Sequence, residues 1–240
     1  MKISFSFPKL LFALLVLSLS GMIYTSSFFN VLYDTDFFQE FYEEQNTDSK
    51  VEYPAQKSTE VVAFLNSEIN EIQDKNPVFA DHSFADEEVD HLKEVRGVVS
   101  SIRSAYYVSF LLFIILTAGF VISLAISKDK DAGRKLRIFF MKLQVYVIGI
   151  CASILLVLWL ILTFGFGWAF RLFHEIFFTP GTWIFPEGTL SIILFPEGFY
   201  VEFVSQVLFN VLMFVVMLSV LFIFVYMIYK PRGSKRKAHD

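Results

Sequence analysis

The segment "AYYVSFLLFIILTAGFVISLAI" at 105–126 decides the class of this chain, because no charged side chain interrupts it. A helix of about 20 such residues rises about 30 Å and crosses the hydrocarbon core of a bilayer. The whole chain is 55% hydrophobic, with thirty Phe among 240 residues, which is outside the range of ordinary soluble domains. The sequence therefore predicts an integral membrane protein.

Three further apolar runs have the same character. The predicted spans are 10–24, 105–126, 144–166 and 206–229. We expect an all-α integral membrane protein, a single membrane domain over 1–240 in which four transmembrane helices carry a small helical extracytoplasmic cap. The first run also fits a secretory signal, since it is short and follows Met-Lys. No small-x-small cleavage site comes after it, so we interpret it as a retained helix.

The orientation follows from the charges between the spans. Segments 1–9, 128–142 and 230–240 hold thirteen Lys or Arg against three Asp or Glu, whereas 25–104 and 167–205 hold seven against twenty-one. Basic residues in short connections stay on the cytoplasmic side. The pattern predicts a multi-pass protein of the cell membrane with cytoplasmic termini and two large extracytoplasmic loops.

Several function classes are disfavoured by what the sequence lacks. The predicted spans contain no Asp, Glu, Lys, Arg or His, whereas ion paths and proton relays normally require such groups. We find no Cys/His cluster for zinc, no phosphate-binding Gly-rich loop and no Gly-x-Ser-x-Gly nucleophile, and so expect no cofactor and no metal. Topology and anionic lipid explain the basic segments, so no nucleic-acid partner is expected. Any chemistry is expected in the outer loops.

The first outer loop is predicted to be largely helical. Its start, "FFQEFYEEQN" at 37–46, has aromatics that suit a membrane interface. The stretch 58–75 predicts an amphipathic helix with Val61, Val62, Leu65, Ile69 and Ile72 on one face. Ser83 and Asp86 match a capping box, which predicts the start of a helix that runs directly into the second span.

His91 is the first candidate for chemistry. Glu88 precedes it by one turn of the predicted helix and Glu94 follows it, so the carboxylates share its face. Negative charge nearby favours the imidazolium form and can fix the tautomer of the ring. The alternative is a histidine in an acidic surface patch.

His174 is the second candidate, in "FGWAFRLFHEIFFTPGTW" at 166–183. We expect this segment to continue the third span, which brings aromatics around the ring, namely Phe170, Phe173, Phe177 and Phe178. The alternative is a histidine that anchors the helix at the headgroups. Two imidazoles, one from each outer loop, are a plausible acid/base pair, since one ring can accept a proton while the other donates one.

The tetrapeptide "FPEG" occurs twice, at 185–188 and 195–198, around the apolar stretch 189–194. We expect each copy to turn the backbone, with the apolar stretch lying at the membrane interface between them.

The chain resembles the prokaryotic integral membrane family that contains the lipoprotein intramolecular transacylase. The family motif Phe-Thr-Glu-x-Glu-Ile-x-His-Met-x-Asp-Val-Lys is matched at Phe84, Asp86, Glu88, Val89, His91, Leu92, Glu94, Val95 and Arg96. A second motif, with Phe-His, a Trp and Leu-Phe-Pro-Glu, is matched at Phe173, His174, Phe177, Phe178, Trp183, Phe195, Pro196, Glu197 and Phe199. Leu92 and Glu94 stand where the family has Met and Asp, and the region after Trp183 is shorter.

The resemblance implies an acyltransferase. It would move an ester-linked acyl chain of a diacylglyceryl lipoprotein to the α-amine of the N-terminal cysteine and give a lyso-form lipoprotein. The expected partners are that lipoprotein N-terminus and membrane lipid. His91 and His174 are the expected catalytic pair, supported by Glu88, Glu94, Arg96, Trp183 and Glu197, with Glu197 favoured over Glu187.

Two alternatives stay open. One is a noncatalytic membrane module that binds a lipid or protein through its acidic outer cap. The other is an acyltransferase or lipase that acts on a different ester.

Overall fold

The computed structural model describes residues 9–72, 83–127 and 130–229, and these ranges are helical without a β-strand. The α-helices within them are α1 (Lys9–Leu32), α2 (Thr35–Glu44), α3 (Pro54–Leu65), α4 (Asp86–Ile126), α5 (Ala132–Phe164), α6 (Phe166–Phe177), α7 (Leu190–Leu194) and α8 (Glu197–Tyr229). The predicted cytoplasmic tail 230–240 lies outside the described residues.

Among the described helices, α1, α4, α5 and α8 are long and apolar enough to cross a membrane, which confirms the predicted four-span all-α fold. Each of them is longer than the predicted span. α4 has 41 residues, or about 62 Å at 1.5 Å per residue, so about half of it projects beyond a bilayer core. α5 begins at Ala132 instead of 144 and takes basic residues of the predicted loop into the helix. Hydropathy marks the apolar part of a helix, whereas the hydrogen-bonded backbone continues past it.

Helix α1 packs against α4, α5 and α8. Its contact with α4 is close, because a methyl group on Gly21 would lie 3.2 Å from Ser109 Oγ. Ser20 and Ser27 of α1 are also buried. Small side chains let membrane helices approach each other and gain packing contacts. The first apolar run is therefore an integral helix of the bundle.

The cap has a hydrophobic core of its own, built from α2, α3, α7 and the adjoining ends of α1, α4 and α8. The aromatics Phe38, Phe41 and Tyr42 of α2 are buried in this core; they had been expected at a membrane interface. The Tyr42 hydroxyl lies 2.5 Å from Ser58 Oγ and donates to the Leu194 carbonyl at 3.1 Å. Since those partners are on α3 and α7, the α2 aromatics fasten the cap together.

The predicted helix over 58–75 is wrong at both ends. α3 begins earlier, with Pro54 in its first turn, where the missing N–H of proline costs nothing. It ends at Leu65, and Ser67 has a left-handed φ of 65°, which a continuing helix does not allow. Ile69 and Ile72 therefore follow the helix, although Ile72 is still buried in the cap.

The predicted capping box at Ser83 and Asp86 is also wrong. Ala85 is the N-cap of α4, and the Glu88 carboxylate accepts a hydrogen bond from its backbone N–H at 2.8 Å. Alanine has no side-chain acceptor, so only the glutamate half of a capping box is present. Glu88 therefore fixes the start of α4.

The two copies of "FPEG" adopt different structures. Gly188 in the first copy has a φ of 90°, a left-handed conformation that glycine adopts without strain, so this copy is a turn as predicted. In the second copy Glu197 begins α8, so the predicted turn is wrong there. A long apolar run follows the second copy and extends the helix from it. Leu190 and Leu194 between the copies are buried in the cap core, whereas we had expected them at the membrane interface.

Candidate active site

The two predicted histidines meet in the cap, next to the membrane-spanning part of the bundle. The rings of His91 on α4 and His174 on α6 have centroids 6.0 Å apart and planes 24° from parallel. Both residues are almost buried, with 8% and 5% of their surface exposed. Residues 83 positions apart in sequence thus form one cluster.

The segment that carries His174 is a separate helix. We had expected it to continue the third span, but α5 ends at Phe164 and Gly165 has φ −149° and ψ 21°, outside the helical region. Glycine is the residue that most readily leaves a helix. The break gives α6 a direction of its own.

The ring of His174 has one hydrogen-bond partner that fixes its tautomer. Its Nδ1 lies 2.7 Å from the Phe170 carbonyl oxygen, which can only accept, so Nδ1 carries the hydrogen and Nε2 keeps its lone pair. Phe170 and Phe173 also pack on the ring, with centroids at 4.1 and 5.5 Å. Phe177, predicted to join them, is exposed and packs on Phe173 instead.

The ring of His91 has an open position. Its Nδ1 is buried and has no hydrogen-bond partner within the described ranges, and the nearest carboxylate oxygen, Glu94 Oε2, is 3.8 Å away. That distance exceeds hydrogen-bond length. A buried polar atom without a partner carries a desolvation cost, which is the signature of a functional position or of a partner that arrives later.

Both imidazoles are held neutral. Burial, and after it the neighbouring His174, lower the pKa of His91 to about 4 even though Glu94 opposes the shift. Burial also lowers the pKa of His174, against the hydrogen bond to Phe170. The expectation that acidic neighbours favour imidazolium at His91 is wrong, because desolvation outweighs attraction to a carboxylate 3.8 Å away.

The rings are covered by residues 178–189, the covering loop. Phe178 packs on both, with centroids 4.7 Å from His91 and 5.1 Å from His174. Phe185 lies 5.7 Å from His91, and Trp183 lies 4.8 Å from His174. The sequence pointed to Phe178 and Trp183 but missed Phe185, which belongs to the first "FPEG" copy. That copy therefore contributes to the site.

Glu94 holds the covering loop. It accepts hydrogen bonds from Thr179 Oγ1 at 2.6 Å and from Thr182 Oγ1 at 2.8 Å. These bonds, that from Thr179 first, lower the pKa of the Glu94 carboxyl. The sequence analysis did not find the two threonines, since nothing in "TPGT" indicates an acidic partner 85 residues earlier.

Glu88 contacts the backbone and not the ring of His91. Its carboxylate is 2% exposed and accepts from the N–H of Ala85 at 2.8 Å and from that of Ser191 at 2.7 Å. Ser191 is in the first turn of α7, so Glu88 joins the N-terminal ends of α4 and α7. Both ends are favourable places for negative charge.

Two other predicted residues lie apart from the imidazoles. Arg96 donates from Nε to Ser67 Oγ at 2.9 Å and lies over the ring of Phe64 at 4.9 Å. Glu197 is exposed, and its carboxylate faces Gly167 near the start of α6. Roles for Arg96 and Glu197 in positioning substrate remain predictions.

The arrangement is suited to proton transfer. In the part of the chain that the structure describes, no three His, Cys, Asp or Glu side chains are grouped so as to hold a metal ion. Two adjacent neutral imidazoles, one with a defined lone pair and one with an open nitrogen, can take a proton from one atom of a substrate and return it to another.

Comparison with known proteins gives a family match. The family model described as lipoprotein intramolecular transacylase Lit matches residues 7–200. The match spans both histidine segments and the first three predicted spans. No curated protein matches the sequence significantly.

Solved structures share the fold. The membrane integral lipoprotein intramolecular transacylase Lit from Bacillus cereus superposes with a TM-score of 0.69 at 16% identity, covering 91% of this chain and 95% of that chain. Two variants of the same protein, with one histidine replaced by arginine or by alanine, each give a TM-score of 0.65 at 16% identity. They cover 91% of this chain and 92% and 93% of theirs. At this identity the likeness establishes the architecture.

Proposed function

The chain belongs to the lipoprotein intramolecular transacylase Lit family, and from this we propose that it moves an ester-linked acyl chain within a diacylglyceryl lipoprotein. The acceptor is the α-amine of the N-terminal cysteine, and the product is a lyso-form lipoprotein. We place the reaction at the outer membrane–water interface, where the charge distribution along the chain puts the cap.

The observation that carries the proposal is the meeting of His91 and His174. Their rings lie 6.0 Å apart, although they come from different helices and different sequence motifs. Two such rings side by side suit a reaction in which one proton leaves nitrogen and one reaches oxygen.

The proposed steps use one proton at a time. As the nitrogen of the cysteine amine attacks the ester, it loses a proton that His174 accepts at Nε2, because Nδ1 of His174 is engaged by the Phe170 carbonyl. The amine nitrogen forms a bond to the ester carbonyl carbon, and the bond from that carbon to the glyceryl oxygen breaks. His91, which is neutral in the closed structure and must become protonated when substrate enters, gives a proton to the departing oxygen. The proton on His174 then returns to His91, so the reaction is an isomerisation with no other reactant.

The amine and the ester belong to one molecule, so the protein's contribution is to hold them in a reactive orientation and not to bring two molecules together. The aromatic cover of Phe178, Trp183 and Phe185 supports this role, since it keeps water away from the imidazoles until substrate enters. Glu94 supports His91 from the neighbouring turn. Glu88 acts on the site indirectly, by fixing the first turn of α4.

The test uses the purified chain in vesicles with a synthetic diacylglyceryl lipopeptide that has a free α-amine. Acyl migration leaves the mass unchanged, so the product is detected by alkaline hydrolysis and tandem mass spectrometry. Esters are lost, whereas an amide-linked chain remains on the cysteine. We expect the amide-linked chain on the lipopeptide that has a free α-amine. We expect none on a lipopeptide whose α-amine is acetylated.

Other outcomes would contradict the proposal. Unchanged lipopeptide after incubation with wild-type protein favours a noncatalytic module. Release of free fatty acid without an amide favours an enzyme that acts on another ester.

A further inference from the structure

The covering loop closes the candidate site. Phe178, Trp183 and Phe185 pack on the imidazoles, and His91 and His174 are almost buried beneath them. Two bulky acyl chains and a peptide cannot reach both rings in this arrangement. The reaction therefore requires the loop to lift.

The loop has backbone features that suit movement. Gly181 and Gly188, near its two ends, both have a φ of 90°, a region that glycine enters and leaves without the cost that other residues meet. Trp183 and Phe185 lie between these glycines and rest on the imidazoles, while Phe178 and Thr179 come just before Gly181.

Glu94 is the polar fastening between the loop and α4. Its Oε1 accepts from the Thr179 hydroxyl at 2.6 Å and from the Thr179 backbone N–H at 3.4 Å. Its Oε2 accepts from the Thr182 hydroxyl at 2.8 Å. Hydrogen bonds to an ionised carboxylate are stronger than those between neutral groups.

The same carboxylate faces an atom that lacks a partner. Glu94 Oε2 is 3.8 Å from His91 Nδ1, which is buried and without a hydrogen bond among the described residues. The bonds to the threonines keep the carboxylate about 1 Å beyond hydrogen-bond length from Nδ1. If the threonines leave, Glu94 can turn to the ring.

We propose that Glu94 is a positioning residue with two alternative partners: the Thr179 and Thr182 hydroxyls when the covering loop is closed, and His91 Nδ1 when it lifts. The inference rests on the proposed function, because the exchange of partners matters only if His91 acts as the acid in acyl transfer. In the closed state His91 is neutral and cannot act as the acid. In the lifted state the carboxylate stabilises the imidazolium and orients Nε2 toward the substrate. Entry of substrate thus converts His91 from the neutral form to the imidazolium form.

The groups that face His91 determine this behaviour. The titratable ones are Glu94 on α4 and His174 on α6, while the covering loop adds the apolar rings of Phe178 and Phe185. Burial and His174 disfavour the imidazolium, and Glu94 favours it. When the apolar rings lift and Glu94 is released, both changes favour the imidazolium form of His91 over the neutral form.

The test measures the loop and the ring separately in full-length protein. Trp183 reports the loop by fluorescence in a background carrying Trp159→Phe and Trp168→Phe, since the chain has three Trp. His91 is titrated by NMR on histidine-labelled protein, with His91→Asn to assign its signal among the four histidines. Neither measurement requires catalysis.

Replacing both threonines with valine removes the hydroxyls and keeps the size of the side chains. We expect Trp183 to become more accessible to acrylamide and the midpoint of His91 to rise by about one pH unit or more, the range for a newly paired opposite charge. The matched control, Thr179→Ser with Thr182→Ser, keeps the hydroxyls and should resemble wild type. Adding Glu94→Gln to the valine pair should leave Trp183 accessible and abolish the rise.

An unchanged His91 midpoint in the valine pair would overturn the inference, as would an equal rise in the variant that also carries Glu94→Gln. If the valine pair does not fold, Thr182→Val alone tests the same point through the bond to Oε2. A wild-type protein that forms no lyso-form product would contradict the proposed function alone, because the midpoint shift is measured without substrate.

Discussion

Replacing Glu88 with Ala removes the carboxylate that joins the N-terminal ends of α4 and α7. The carboxylate is buried, and its two oxygens accept from the backbone N–H of Ala85 at 2.8 Å and of Ser191 at 2.7 Å. Without it, the N–H groups of Ala85 and Ser191 both lose their acceptor. The first turn of α4 and the start of α7 should both become less stable.

The expected magnitude follows from the two bonds. A hydrogen bond to a charged group contributes about 1.5–3 kcal/mol, so two of them contribute about 3–6 kcal/mol. The alanine variant is also relieved of the cost of keeping a carboxylate out of water. The expected loss of stability is therefore at the lower end of this range, about 3 kcal/mol. The bond to Ser191 accounts for half of this, about 1.5 kcal/mol, and about 1.4 kcal/mol is a factor of ten, so local opening at Ser191 should become roughly 10-fold more frequent.

Hydrogen–deuterium exchange read by mass spectrometry measures this opening in detergent-solubilised protein. Exchange should accelerate at 85–89 and at 190–194, and the middle of α8 should be unaffected. Glu87→Ala is the matched control, because Glu87 is the exposed neighbour in the same turn and its loss should change stability by less than about 0.5 kcal/mol. Equal exchange in the Glu88 variant and wild type, or equal effects of the two alanine substitutions, would refute the reasoning.

Two further predictions concern stability. Because burial lowers the pKa of His91 to about 4, the unfolded chain takes up this proton near pH 6.5 and the folded chain only near pH 4. Stability should therefore fall as pH drops through that interval, and thermal unfolding should show a shallower fall for His91→Asn; identical slopes would contradict the shift. Gly188→Ala should destabilise the protein by about 1–2 kcal/mol, since the φ of Gly188 is 90°. Gly97→Ala should stabilise it by about 0.5–1 kcal/mol, because Gly97 lies in α4 with open space around it. Denaturant unfolding that ranks the two variants the other way would count against this account of the first "FPEG" turn.

The features that could be predicted from sequence were those governed by local composition. Long uncharged runs fix the number of spans, and the spacing from Glu88 to Glu94 places both carboxylates near His91 on one helix. The two histidine motifs were recognisable individually. Their pairing was predicted from the placement of one histidine in each outer loop, and the resemblance to the family supported it.

What the sequence could not supply depended on contacts between distant segments. Ser83 has the chemistry of an N-cap, yet Ala85 is the N-cap of α4, because the Glu88 carboxylate accepts hydrogen bonds from the backbone N–H groups of both Ala85 and Ser191. The charge near His91 suggested imidazolium, but the burial that reverses this comes from Phe178 and Phe185. The acceptor for the hydroxyls of Thr179 and Thr182 is Glu94, which lies on α4 and far from them in sequence. The second "FPEG" copy matched the family motif, but Phe185 of the first copy contacts His91.

The most direct test of the account is a double-mutant cycle on the rate of acyl transfer. The rates of wild type, His91→Asn, His174→Asn and the double variant are measured with the diacylglyceryl lipopeptide in vesicles. If the two rings form one acid/base site, each single substitution should slow transfer about 100-fold or more, and the double variant should be little slower than the worse single one. Wild-type rates in either single variant, or a double variant slowed by the product of the two single effects, would contradict a shared site.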